Sequence, residues 1–378
     1  MTPTPRAVPA LSRHTTCDTG ASAAATWART PDYSSAGGEG VSEQAIDDGN
    51  LARSERRLVA IRPGALGDAL LTFPSLDWLR RKVPGLRVTL VARRDVLSLA
   101  RDSDVADDVS DYDSPIWSAL FADEPPARRG RAHELCARAC VVAWTGEDDG
   151  VVRRNLLALG ASAVAVAPGK PSAGSRRHMS LQLCDALAGL GYPIPATTQE
   201  LLVTPPRIRP SPDARERVKR WLCERGTVSE RLAAVHPGSG GAAKRWPTQS
   251  FAALLRRLRE NGVTPVLIEG PQDAVVIQEI LAACPLPHEA AHVARDFSIA
   301  ELACLLASCG VYVGNDSGVT HLAALADCTG VAMFGPSDPT VWRPLGRRVF
   351  VVQAETNNTQ DVSLDAVMSP LRAMMGWT

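Results

Sequence analysis

Leu58-Val59-Ala60-Ile61-Arg62-Pro63-Gly64-Ala65-Leu66-Gly67-Asp68 reads as a short β run that breaks into a glycine-bearing turn. Leu76, Leu79 and Val83 then space like one helix face, Pro74 has to kink or restart that helix, and Val88-Thr89-Leu90-Val91 is a second strand. Strand, turn, helix, strand is a βαβ unit, and such units build parallel sheets. An apolar helix from Leu181 to Leu190 closes this half. Pro205, Pro206, Pro210 and Pro212 follow, too many for a helix or a central strand, and read as an interdomain linker about which the halves can close. The alternation then starts afresh. Strand Leu232-Ala233-Ala234-Val235 precedes a helix carrying Phe251, Leu254, Leu255 and Leu258, and strand Val263 to Ile268 precedes a helix opened by the capping box Ser298 to Glu301. Strand Val311 to Val313, helix Thr320 to Ala326 and strand Val331 to Phe334 complete the second half, and a helix from Leu364 to Met375 carries Pro370 as an expected kink. The fold class is α/β, with two doubly wound, Rossmann-like domains at 56–205 and 206–350 and a helical segment at 351–378. Residues 1–55, rich in Pro, Ser, Thr, Ala and Gly with no apolar period, read as a disordered extension.

A length of 378 residues suits two domains, and 45% hydrophobic with 22% charged residues gives material for sizeable cores. Lys+Arg and Asp+Glu are 41 each, so no global basic field favours nucleic acid, which is not expected as a partner. No run approaches the roughly 18 apolar residues of a membrane span, so a soluble, cytoplasmic protein is expected. The nine cysteines are scattered without a Cys-x-x-Cys pair and read as reduced core thiols. No His, Cys, Asp or Glu spacing suggests a metal, and no metal or cofactor is expected.

In open α/β sheets ligands collect where strand ends run into helix N-termini. After the first strand, Gly64 and Gly67 let the backbone approach a ligand and Asp68 stands near a helix start, as a crevice carboxylate or as a plain N-cap. The pattern is not a dinucleotide fingerprint. The loop His236-Pro237-Gly238-Ser239-Gly240-Gly241-Ala242-Ala243-Lys244-Arg245-Trp246-Pro247 offers backbone N–H groups, the Ser239 hydroxyl and the charges of Lys244 and Arg245 to a diphosphate, with Trp246 as a core anchor. Gly314-Asn315-Asp316-Ser317-Gly318-Val319-Thr320-His321 brings Asp316, Ser317 and His321 to one helix start, where an Asx turn explains part of the pattern. Gly335-Pro336-Ser337-Asp338-Pro339 is a pocket wall or an ordinary turn. Glu269-Gly270-Pro271-Gln272-Asp273 puts carboxylates where a ribose diol can bind.

At these residues the chain resembles glycosyltransferase family 9, the ADP-heptose:lipopolysaccharide heptosyltransferases. Three signatures carry the resemblance: Ile61 to Asp68; His236-Pro237-Gly238 with Lys244-Arg245-Trp246-Pro247; and Gly314 to Gly318 with His321-Leu322-Ala323-Ala324 and Phe334-Gly335-Pro336. Their order and separations fit the family over residues 56 to about 350. The resemblance implies a GT-B architecture, with the acceptor on the first domain, the nucleotide-sugar on the second, and inverting transfer in the cleft without a metal. Carried over, Asp68 is the general base on the acceptor hydroxyl, beside Gly64 and Gly67 of the acceptor-side loop. Lys244, with Ser239, Ser317, Gly318 and the helix starting near Thr320, stabilises the departing ADP. Asp316 and His321 match donor-site positions, and Asp273, or Gln272, matches the ribose holder. The partners implied are ADP-heptose as donor and a lipid-linked or sugar acceptor of the Kdo/heptose lipopolysaccharide core. The place implied is the inner face of the inner membrane, with at most peripheral association.

The chain departs from the family pattern at Asp113 to Arg131, whose Pro125-Pro126 and Arg128-Arg129-Arg131 match no motif and read as a solvated loop or a contact for an anionic lipid sugar. Residues 1–55 lie outside the resemblance. Other readings are a GT-B transferase using another nucleotide-sugar or a protein or small-molecule acceptor, a non-catalytic nucleotide-sugar-binding relative, and, more distantly, a nicotinamide oxidoreductase.

Overall fold

The computed structural model describes residues 56–146, 149–203, 208–227, 231–284 and 291–377. The expected extension 1–55, the linker prolines Pro205 and Pro206, and Cys17 lie outside them.

The first half runs β1 (Arg57–Arg62), α1 (Leu66–Leu70), α2 (Phe73–Lys82), β2 (Arg87–Ala92), α3 (Arg94–Asp102), β3 (Asp108–Asp111), α4 (Gly130–Cys136), β4 (Cys140–Ala143), α5 (Val151–Ala158), β5 (Ala163–Val166) and α6 (Met179–Ala188). Helices α7 (Thr198–Val203) and α8 (Pro212–Cys223) lead across. The second half runs β6 (Leu232–His236), α9 (Thr248–Glu260), β7 (Thr264–Ile268), α10 (Ala274–Ala283), β8 (His292–Ala294), α11 (Ile299–Ser308), β9 (Val311–Asn315), α12 (Gly318–Leu325), β10 (Gly330–Phe334), α13 (Pro339–Trp342), β11 (Val349–Gln353) and α14 (Leu364–Met375).

Every strand pairing is parallel. The first sheet is five-stranded in the order β3-β2-β1-β4-β5, and the second is six-stranded in the order β11-β10-β9-β6-β7-β8. In both, the order reverses beside the first strand of the half, so a crevice opens at the carboxyl ends of β1 and β6. Leu58 pairs with Val88 on one side and Cys140 on the other, which makes β1 central. A strand buried on both faces needs apolar residues throughout, and β6, β9 and β10 are buried along their whole length.

Alternation along the strands sorts the core into layers. Val59 and Ile61 pack with Trp117, Leu135 and Leu156 on one face of the first sheet. Ala233 and Val235 pack with Phe251, Leu254 and Leu258 on the outer face of the second. Leu58, Ala60, Leu232 and Ala234 belong to one cluster that also holds Val96 and Leu99 of α3, Leu305 and Leu306 of α11, and Leu322 of α12. The two halves therefore share a continuous apolar seam, in which α1 meets α12 and α3 meets α11.

Three expectations need local correction. The restart at Pro74 is present, since Pro74 lies in the first turn of α2, where no intrahelical N–H is needed; Val83 is the residue just past that helix. Pro212 is not part of a helix-free linker but opens α8 for the same reason, with the Ser211 hydroxyl accepting the Ala214 N–H. Helix α6 ends at Ala188, short of Leu190. The Asp113 to Arg131 segment forms a 3-10 helix, Pro115–Phe121, that buries Trp117, whose Nε1–H donates to Ser110 Oγ at 3.0 Å. Arg131 pairs with Asp108 at 2.6 Å and Arg128 donates to the Ala158 carbonyl, so these two cations are engaged within the half. Cys136, Cys140, Cys184, Cys223, Cys304, Cys309 and Cys328 are free thiols, and burial pushes those of Cys136, Cys184 and Cys328 up to about 12.

Candidate active site

Three buried polar residues stand at the ends of central strands: Arg62 on β1, His236 on β6 and Asn315 on β9. Arg62 holds the turn that follows its own strand, whereas His236 and Asn315 reach across to loops of neighbouring strands. Asn315 donates from Nδ2 to the Pro237 carbonyl at 2.8 Å and accepts the Trp246 N–H at Oδ1 (3.1 Å), which joins the loops after β6 and β9. Trp246 is buried as expected, with its indole N–H donating to the Val362 carbonyl at 2.7 Å.

On this frame Lys244 Nζ lies 2.7 Å from Asp316 Oδ2, the two side chains being 37% and 8% exposed. The Ser239 hydroxyl donates to the Asp316 carbonyl at 3.0 Å. Ser317 caps α12, its Oγ accepting the Thr320 N–H at 3.4 Å. Lysine, hydroxyl and helix N-terminus thus gather at one place, a set suited to the oxygens of a diphosphate.

From the first half, Asp68 is the third residue of α1. Its Oδ1 accepts from Arg62 Nη2 at 2.9 Å and its Oδ2 accepts the Ala65 N–H at 2.9 Å. The N-cap of α1 is Ala65, not Asp68, whose carboxylate reaches back from the third helical position to accept the Ala65 N–H; 29% of the Asp68 side chain stays exposed, so the carboxylate keeps lone-pair capacity toward the cleft. Gly64 holds φ +120°, which places its Cα against that carboxylate.

The halves meet glycine to glycine. A Cβ on Gly318 would stand 2.8 Å from Leu66 Cβ and 2.9 Å from the Gly67 nitrogen, and one on Gly67 would stand 3.3 Å from His321 Cδ2. His321 is buried within electrostatic reach of Asp68 and Asp316. Burial pushes its pKa below the ordinary 6.5 against the charges of both carboxylates, with Lys244 adding to the lowering, so the ring is neutral near pH 7. Gly64, Gly67, Asp68, Ser239, Lys244, Asp316, Ser317, Gly318 and His321 consequently form one neighbourhood.

Asp273 joins it only through His236, whose other ring nitrogen meets Ser317. Its carboxylate turns inward to His236 instead of out to the cleft, and Glu269 is taken by Arg295 at 2.5 and 2.8 Å. Of the residues read as ribose ligands, Gln272 is the exposed one. In the loop after β10, Asp338 caps α13 by accepting the Thr340 N–H, as an ordinary turn does. Arg62, His236 and Asn315 stand inside the motifs read from the sequence, where none of them was assigned a part in the site. The signal available was a polar residue closing a strand that is otherwise mainly apolar. Among the described residues no group of three or more His, Cys, Asp and Glu side chains could hold a metal ion. No helix of the described residues is long and apolar enough to cross a membrane.

Residues 155–371 match the family model for glycosyltransferase family 9 (heptosyltransferase). The chain belongs to this family. Lipopolysaccharide heptosyltransferase 2 of Salmonella typhimurium is 33% identical over 156 residues, a stretch covering 40% of this chain and 45% of that protein. The match therefore spans less than half the length of that relative. Among solved structures, a family 9 glycosyltransferase from Veillonella parvula aligns with a TM-score of 0.70 at 18% identity, covering 87% of this chain and 99% of that one. The ADP-heptose lipopolysaccharide heptosyltransferase II of E. coli aligns at 0.62 and 21% identity, covering 84% and 98%. Family 9 membership and these likenesses give the two-sheet architecture its name, the GT-B fold.

Proposed function

We propose that this family 9 chain is an inverting glycosyltransferase that moves a heptose from ADP-heptose to a Kdo/heptose lipopolysaccharide core acceptor, without a metal ion. The observation that carries the reading is the close packing of Gly67, beside Asp68, against Gly318, beside Ser317, with buried His321 in electrostatic reach of Asp68, Asp316 and Lys244. In this reading Asp68 takes the proton of the acceptor hydroxyl as that oxygen attacks the anomeric carbon from the face opposite the leaving group. One displacement needs one base, and the carboxylate is fixed in orientation by Arg62 and Ala65. The bond to ADP breaks as charge builds on its β-phosphate. Lys244, the Ser239 and Ser317 hydroxyls and the N-terminus of α12 supply the compensating positive potential. Lys244 leaves Asp316 for the diphosphate, and Asp316 becomes free to accept hydrogen bonds from sugar hydroxyls. Neutral His321 keeps a second cation from neutralising Asp68. The donor family of the relatives supports ADP-heptose, and a lipid-linked acceptor places the work at the inner face of the inner membrane with peripheral association at most.

The test pairs binding with turnover. Asp68→Asn is expected to bind ADP-heptose as the wild type does while transfer falls about a hundred- to ten-thousandfold. Lys244→Ala is expected to lose ADP-heptose affinity. Stabilisation of the wild type by another nucleotide-sugar and not by ADP-heptose, in a thermal-shift panel, would refute the donor assignment.

A further inference from the structure

Beneath the proposed donor site runs a chain of buried polar groups that the reaction above does not use. Asp273 Oδ2 lies 3.2 Å from His236 Nε2, and His236 Nδ1 lies 3.2 Å from Ser317 Oγ. His236 is 4% exposed and Asp273 6%. The carboxylate sits in a socket made by two glycines. A Cβ on Gly238 would fall 2.3 Å from Oδ1, one on Gly270 would fall 2.7 Å from Oδ2, and the Gly270 N–H donates to Oδ2 at 3.0 Å. The glycine of His236-Pro237-Gly238 thus makes room for a side chain on the neighbouring strand's loop, not for a ligand.

Hydrogen-bond inventory then orders the chain. An ionised carboxylate only accepts, so His236 Nε2 carries the proton that faces Asp273. His236 Nδ1 is then the ring nitrogen left to meet the Ser317 hydroxyl, on either side of that hydrogen bond. The same oxygen accepts the Thr320 N–H, so the rotamer of Ser317 is held from two sides at the first turn of α12. Burial pushes the Asp273 carboxyl up, but the His236 hydrogen bond and charge, the Gly270 N–H and Arg245 outweigh it and hold it below the usual carboxylate range.

We propose that Asp273 and His236 are positioning residues for the diphosphate: Asp273 fixes the His236 ring, His236 holds the Ser317 hydroxyl, and Ser317 aims the N-terminus of α12. Asp273 accordingly does not hold the ribose, and the exposed Gln272 is the side chain of that loop left to do so. This inference rests on the donor-site reading, and its test keeps the two separable.

Calorimetric titration compares ADP with 2′,3′-dideoxy-ADP, which lacks the diol, on wild type, Asp273→Asn, His236→Asn, Ser317→Ala and the double variant Asp273→Asn/Ser317→Ala. Positioning predicts that Asp273→Asn weakens both nucleotides by the same factor, on the order of tenfold. It also predicts no further loss when Asp273→Asn is added to Ser317→Ala, whereas a general loosening of the fold would weaken both backgrounds alike. His236→Asn gives the same pattern if Asp273→Asn folds poorly. If Asp273→Asn weakens ADP and leaves dideoxy-ADP untouched, Asp273 touches the diol and the positioning role is overturned. Additive losses in the double variant overturn it as well. A wild type that binds neither nucleotide overturns the donor-site reading and this inference with it.

Discussion

His178 offers a test of how the two halves are held. It caps α6 from the first half, with Nδ1 accepting the Ser180 N–H at 3.2 Å, and its Nε2–H donates to the Arg343 carbonyl of the second half at 2.8 Å. Both nitrogens are satisfied only in the neutral ring, because a proton on Nδ1 would face the Ser180 N–H. Burial pushes its pKa from the ordinary 6.5 to about 4, against the Arg343 carbonyl and with the charges of His321 and Arg343 adding to the lowering. Between those values the unfolded chain binds a proton that the folded chain refuses. Stability from this group is therefore full above the unfolded value and drains as pH falls toward the folded one. At about 1.4 kcal/mol per pH unit, the window amounts to about 3 kcal/mol. Guanidinium denaturation of wild type and His178→Gln, from about pH 8 to about pH 4, isolates the effect, since the other groups cancel in the difference. The wild type should lose about 3 kcal/mol relative to the variant across the window. A difference that stays constant with pH would refute the neutral bridge.

Two further substitutions probe the frame. Gly318→Ala drives a methyl into Leu66 and the Gly67 nitrogen, and should lower the melting temperature through about 1–3 kcal/mol of overpacking, with weaker nucleotide binding; an unchanged melting curve would mean that the α1–α12 contact is not tight. Trp246→Phe removes the 2.7 Å bond to the Val362 carbonyl and should cost about 1–3 kcal/mol in urea denaturation, while an unshifted midpoint would deny that bond any role.

The elements the sequence revealed are those with mainly apolar strands and strong helix starts. β1, β6, β9 and β10 read directly because burial on both faces fills them with Val, Ile, Leu, Ala, Met and aromatic residues, apart from Gly314, Gly330 and the polar residues Arg57, Arg62, His236 and Asn315 at strand ends. The capping box of α11 forms as written, with Ser298 and Glu301 each meeting the other's backbone N–H. β3 was invisible because Asp108-Val109-Ser110-Asp111 is polar and lies at a sheet edge, where one row of partners and half-burial suffice. At the site, the loops were legible because chemistry there needs particular residue types after a strand. The inward turn of Asp273 was not, since a carboxylate aimed at a sugar and one socketed against His236 have the same spelling. The partnership of Arg62 with Asp68 was hidden likewise, as a cation at a strand end says nothing about which loop will fold back over it.

The apolar seam between the sheets has a consequence for how the molecule comes apart. Cutting the chain near Pro210 would lay bare Val96 and Leu99 on one fragment and Leu305 and Leu306 on the other, side chains that each fragment leaves without a partner. Neither half is then expected to stay folded and dispersed alone, and calorimetry of the intact chain should show a single cooperative transition instead of two. A recombinant exchange of one half for that of another glycosyltransferase would succeed only if the α3–α11 contact were exchanged with it, so the unit of inheritance here is the joined pair.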